Sequence, residues 1–128
     1  MSDGLNIAEI QESARFNERN EGVCEGLTKT EQRAKYPECF DSVTGELLPD
    51  LIPDGATTSD FLARVSEGLQ SLRTLPGQRV LLVSHAGVMQ AIVSLKDGKP
   101  FAEVASTQQF RFCDVLRFDN ASECESRW

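Results

Sequence analysis

The sequence predicts an α/β domain. A continuous apolar run at Val80–Val83 is bounded by a turn signal, an amphipathic helical stripe precedes it, and a second helical segment follows. A run apolar on both faces is how a covered strand of an α/β sheet reads.

Leu5, Ile7 and Ile10 fit either a short strand or the end of a helix, since one short run does not separate the two periods. Arg15 to Gly22 is polar and ends in Gly, so it reads as a loop. Thr28-Lys-Thr-Glu31 is a capping box, and Pro37 forbids continuation, so a helix is expected from about Lys29 to just before Pro37. Residues 41–57 hold Gly45, Pro49, Pro53 and Gly55 and read as a long loop. Thr57-Thr-Ser-Asp60 starts the next helix. Its stripe is Phe61, Leu62, Val65, Leu69 and Leu72, with Arg64, Glu67, Gln70 and Arg73 outside it. Leu75-Pro-Gly-Gln stops it, and Arg79–Ser84 is the predicted buried strand. Ala86–Leu95 reads as a helix with Val88, Ile92 and Leu95 on one side, ended by Lys96-Asp-Gly-Lys-Pro100. Gln109–Phe118 alternates in places and reads as two short strands or one bent strand. Residues 119–128 form a polar tail apart from Trp128.

A chain of 128 residues is one domain, long enough to bury about two thirds of its unfolded surface. Thirteen basic against 20 acidic residues leave a net charge of −7, which argues against a general nucleic-acid or membrane-surface binder. A small phosphate ligand needs only local positive charge and stays open. Cys24, Cys39, Cys113 and Cys124 form no Cys-x-x-Cys pair, and no second histidine stands at zinc-ligand spacing. No metal site and no cofactor are expected. No signal peptide is read from the first residues, so a cytoplasmic chain with reduced thiols is expected.

His85 is the sole histidine of the sequence. It sits at the carboxyl end of the predicted strand and the start of the following helix, where open α/β sheets bind ligands. The amides of Ala86, Gly87 and Val88 are free there, and the helix dipole presents its positive end. An imidazole beside such amides suits a phosphoryl group; a plain helix cap is the alternative. Phe16 to Thr28 gathers Glu18, Glu21 and Glu25 with Arg19 in a glycine-punctuated loop. A carboxylic acid there can protonate a leaving alkoxide, and an arginine can fork onto phosphate oxygens. A solvated charged loop is the alternative.

Together these segments resemble the histidine phosphatase superfamily, the phosphoglycerate mutase-like proteins. Phe16-Asn-Glu-Arg-Asn-Glu-Gly-Val-Cys-Glu-Gly-Leu-Thr28 is similar to the family's Leu-x-Glu-x-x-x-Gly-x-x-Glu-Gly loop. Its Gly-Val-Cys-Glu part resembles the fructose-2,6-bisphosphatase branch, and its Asn-Glu-Arg part the cofactor-dependent mutases. Tyr36-Pro-Glu-Cys-Phe40 matches Tyr-Pro-Glu-x-Phe. Pro53-Asp-Gly-Ala-Thr and Asp60-Phe-Leu-Ala-Arg-Val65 match Pro-x-Gly-Glu-Ser followed by Asp-Phe and Arg-Val, with Ala56 in place of the usual Glu. Val83-Ser-His-Ala-Gly-Val88 matches the second-histidine motif. The five motifs occur in family order between about residues 5 and 118.

The resemblance implies a three-layer α/β/α phosphoglycerate mutase-like fold. It implies phosphoryl transfer or hydrolysis on a small phosphorylated metabolite such as a sugar phosphate. Glu18 is then the general acid, and His85 contacts the transferring phosphoryl group. Arg19 touches substrate on the mutase-like reading, and the backbone at Ala86 and Gly87 faces the phosphate. The family's nucleophilic histidine stands in an Arg-His-Gly motif on the first, central strand, and no Arg-His-Gly occurs here. Gln90 stands where many members have Arg, and Asn20 where the mutases have His. The chain is therefore expected to be a partial domain over residues 1–118, truncated at the N-terminus, with the tail at 119–128. Three explanations stand side by side: a shortened reading frame, an inactive relative serving as an anion-binding or protein-interaction module, or a sheet completed by a homodimer or by the chain's own N-terminal segment.

Overall fold

The computed structural model describes residues 10–75 and 79–118. Its first α-helix, α1, spans Lys29–Lys35, and both halves of the capping box form. The Thr28 hydroxyl accepts from the Glu31 amide, and the Glu31 carboxylate accepts from the Thr28 amide at 2.8 Å. Those bonds hold the Glu31 carboxyl below its ordinary pKa. A 3-10 turn at Pro37–Cys39 follows at once, because proline cannot continue α1.

The second helix, α2, spans Thr58–Leu72, with the Thr57 side chain accepting from the Asp60 amide. The third, α3, spans Ala86–Asp97 and ends on Gly98 at φ 66°, a left-handed cap that glycine adopts at little cost. The fourth, α4, spans Phe101–Thr107. The expected helix starts at Lys29, Thr58 and Ala86 all hold. α4 went unread, because seven residues with Phe101 and Val104 as the large apolar positions carry little periodicity.

Two small cores result. Phe16, Phe61, Val65, Val88, Ala91 and Ile92 form the larger, joined by Leu62, Leu69, Leu72, Leu82 and Phe101. The expected α2 stripe, Phe61, Leu62, Val65, Leu69 and Leu72, lies wholly within it. The Phe61 and Phe101 rings meet edge to face at 6.0 Å, which ties α4 to α2. Gly68 lets the Phe16 ring lie on α2; a Cβ there would stand 2.6 Å from the ring. The smaller core holds Cys24, Cys39 and Ile52. Burial, reinforced by Glu38 and Cys24, pushes the Cys39 thiol's pKa up, and its sulfur donates to the Leu51 carbonyl at 3.4 Å. Cys24, Cys39 and Cys113 are free thiols.

The expected α/β class and its three-layer sheet do not hold. Among the described residues there is no β-strand; Phe40 and Leu47 form an isolated antiparallel bridge. Arg79–Ser84 is not a buried strand: Val80 is 50% exposed, Leu81 65% and Val83 60%. Gln109–Phe118 is not a strand either, and Phe112 and Val115 are exposed. The reason is pairing. An apolar run becomes a strand only with a hydrogen-bonded neighbour and cover on its faces. Neither run has a ladder partner among the described residues, so each stays irregular, and of Val80–Val83 Leu82 packs on the core. Leu5 to Glu9, the helix stop at Pro76–Gln78, Cys124 and the tail at 119–128 lie outside the described residues. Among the described residues no helix is long and apolar enough to cross a membrane.

Truncation variants separate the core from the irregular run. Phe61→Ala should cost about 3–5 kcal/mol in denaturant unfolding, whereas Leu81→Ala should change stability by less than about 0.5 kcal/mol. A loss at Leu81 as large as at Phe61 would contradict this packing.

Candidate functional site

The loop from Ser13 to Glu25 carries the acidic residues, and most of its bonds hold its own shape. The Ser13 side chain caps a 3-10 turn at Ala14–Phe16. The Asn20 side chain accepts from the Gly22 amide at 2.8 Å, and the Glu25 carboxylate accepts from the Glu21 amide at 2.8 Å. Of the three carboxylates singled out in the sequence, Glu25 is therefore a loop brace. Glu18 is turned toward α3.

The Glu18 carboxylate accepts from two backbone amides, its neighbour Arg19 at 2.9 Å and Gly87 at 3.2 Å. Gly87 lies in the first turn of α3, where amides have no partner within the helix. A carboxylate there also meets the positive end of the helix dipole. Gly87 is required for this approach, since a Cβ at that position would collide with the Glu18 carboxylate. His85 is the residue that begins α3; its backbone is extended and its side chain makes no capping bond. The sequence-expected trio of Glu18, His85 and the backbone at Ala86–Gly87 thus comes together across 69 residues of separation.

Two long-range ties hold the loop against the helices. The Ser84 hydroxyl donates to the Phe16 carbonyl at 2.6 Å. The Arg64 guanidinium donates from Nη1 to the carbonyls of Ala14, Arg15 and Asn17 at 2.9–3.0 Å, and from Nη2 to that of Glu18 at 3.2 Å. Sequence reading placed Arg64 outside the apolar stripe and missed this role. Its place beside Val65 in the Arg-Val motif was the available signal.

Arg19 points elsewhere. Its side chain is 9% exposed and donates to the Ala56 carbonyl at 2.9 Å, the Thr58 hydroxyl at 2.9 Å and the Asp50 carboxylate at 2.8 Å. Asp50 also accepts from the Thr58 amide. Glu18 and His85 both line an open trough whose walls include Leu72, Leu82, Met89, Ile92 and Phe110.

A family model described as the histidine phosphatase superfamily (branch 1) matches residues 1–124. The chain belongs to that superfamily. Similar proteins include a probable phosphoglycerate mutase GpmB of Shigella boydii, 34% identical over 121 residues, covering 90% of this chain and 52% of that protein. A protein of the same name from Escherichia coli O1:K1 / APEC is 33% identical over 121 residues, with the same coverage of 90% and 52%. A 2,3-bisphosphoglycerate-dependent phosphoglycerate mutase of Methylobacterium radiotolerans is 31% identical over 108 residues, covering 82% of this chain and 51% of that protein. The chain spans about half the length of these relatives. No solved structure matches it.

In this histidine phosphatase chain, Asp50 is the hinge between the loop and α2. Burial raises its pKa, but the Thr58 amide and hydroxyl and the Arg19 guanidinium outweigh that and hold the carboxyl below its usual range. A folded-state value below the unfolded one adds stability above the unfolded value of about 3.9, and loses it as pH falls through the folded value. The stability gap between wild type and Asp50→Asn should therefore be constant above about pH 5 and close below about pH 4. A gap that persists unchanged to about pH 2 in thermal unfolding would remove this role.

Proposed function

We infer that the site acts on the phosphoryl group of a small phosphorylated metabolite, such as a sugar phosphate. The observation that supports this most is the Glu18 carboxylate on the Gly87 amide, two residues beyond His85. In this reading the His85 imidazole contacts the phosphoryl oxygens and balances their charge, and the backbone amide of Ala86 faces the same oxygens, while the Gly87 amide holds Glu18. Glu18 donates a proton to the leaving oxygen, which makes an alcohol of an otherwise poor alkoxide. Arg19 is left out of the phosphate contacts, because its guanidinium is already held by Ala56, Thr58 and Asp50.

Covalent phosphoryl transfer in line with phosphorus also needs a nucleophile. The sequence has one histidine, and in this reading it lies beside the phosphoryl oxygens. That single imidazole favours the second reading for the chain by itself, an anion-binding module without turnover.

Both readings predict binding at His85. Titration with inorganic phosphate should move the His85 ring resonances and the Ala86 and Gly87 amides. Saturating phosphate that leaves all of them unmoved removes both readings. The same chain should hydrolyse p-nitrophenyl phosphate no faster than buffer. Turnover abolished by His85→Ala, with a phosphoenzyme trapped on His85, would instead make His85 the nucleophile.

A further inference from the structure

We propose that Arg64 is the positioning residue for Glu18, holding the proton donor against the first turn of α3. This rests on Glu18 as the acid of the proposed site. Each main-chain carbonyl from Ala14 to Glu18 receives a side-chain hydrogen bond from far along the chain. Arg64 serves Ala14, Arg15, Asn17 and Glu18, and Ser84 serves Phe16.

The arrangement fits a guanidinium and no other side chain. One planar fork offers five N–H donors, stays charged at every accessible pH, and is less strongly hydrated than an ammonium. Nη1 sits among three carbonyls while Nη2 reaches the fourth, the carbonyl of Glu18 itself. The guanidinium carbon lies 5.2 Å from the centre of the Phe61 ring, and that ring is buried in the larger core. Arg64 thus transmits the rigidity of α2 to the loop. The Glu18 backbone is held by α2, and its carboxylate then meets α3. Without the guanidinium, carbonyls of the loop lose their donors and turn to water, and the carboxylate loses its fixed aim. Arg64 reaches Glu18 only through its backbone oxygen, so it acts on the donor's position.

A spectroscopic double-mutant cycle tests this on the whole chain. The readout is the change in the Gly87 amide shift caused by Glu18→Ala, in the wild-type and Arg64→Ala backgrounds. The Val88 and Ile92 methyl shifts report that the core is intact. Glu18→Ala should move the Gly87 amide clearly in the wild-type background and hardly at all beside Arg64→Ala. An equal movement in both backgrounds overturns the proposal. If Arg64→Ala does not fold, Arg64→Lys decides. Its point-like ammonium on a shorter arm keeps a charge among the nearer carbonyls but loses the Glu18 carbonyl. The Glu18→Ala effect on Gly87 should then shrink, and an undiminished effect overturns the proposal. The phosphate response of the His85 ring is read separately. Loss of that response with the cycle intact counts against the proposed function, and the reverse counts against Arg64 alone.

Discussion

One guanidinium joins the parts of this molecule that local sequence cannot join. Residues 13–18 carry both the Phe16 ring of the core and the Glu18 carboxylate of the site, yet they form only one 3-10 turn. Such a loop keeps a fixed path only if its carbonyls have donors from elsewhere. Arg64 and Ser84 supply them, the first from α2 and the second from just before α3. The Phe16 ring on Gly68 adds apolar contact to the same junction. The site is therefore a three-way meeting of the loop, α2 and α3, and its geometry depends on polar bonds as much as on the core.

A second junction works by the same logic, with a carboxylate among the acceptors. Arg19 is almost wholly buried, so its guanidinium needs a full set of acceptors. Asp50, Thr58 and Ala56 provide them where α2 begins. The two arginines thus fix the loop at two places along α2, one at its first turn and one at mid-helix. Glu18, which follows the 3-10 turn and precedes Arg19, is left little freedom except to face α3.

What the sequence showed follows from how local each signal is. The Thr28 capping box, the Thr57 cap and the stop at Gly98 act within a few residues, and all formed as read. The Phe61-to-Leu72 stripe was legible because its period is a property of the helix alone. Strands were not, because Val80–Val83 looks the same whether or not a partner lies beside it. The motif order set Glu18 and the segment after His85 in one site, and the Glu18 carboxylate reaches the Gly87 amide, although nothing in composition or period shows contact across 69 residues. The partners of Arg19 and Arg64 could not be read, since Arg19 reaches 31–39 residues onward and Arg64 reaches 46–50 residues back. An arginine in a charged loop reads as a ligand for phosphate until its neighbours are known.

The central claim is that the Glu18 side chain lies on the first turn of α3, beside His85. Nuclear Overhauser contacts of the Gly87 amide proton test it most directly, because they report proximity without requiring catalysis or ligand. The account predicts a cross-peak between the Gly87 amide and the Glu18 side-chain methylene protons, alongside the sequential contacts of a formed α3. Intact sequential contacts from Ala86 to Asp97 with no cross-peak to Glu18 would contradict it.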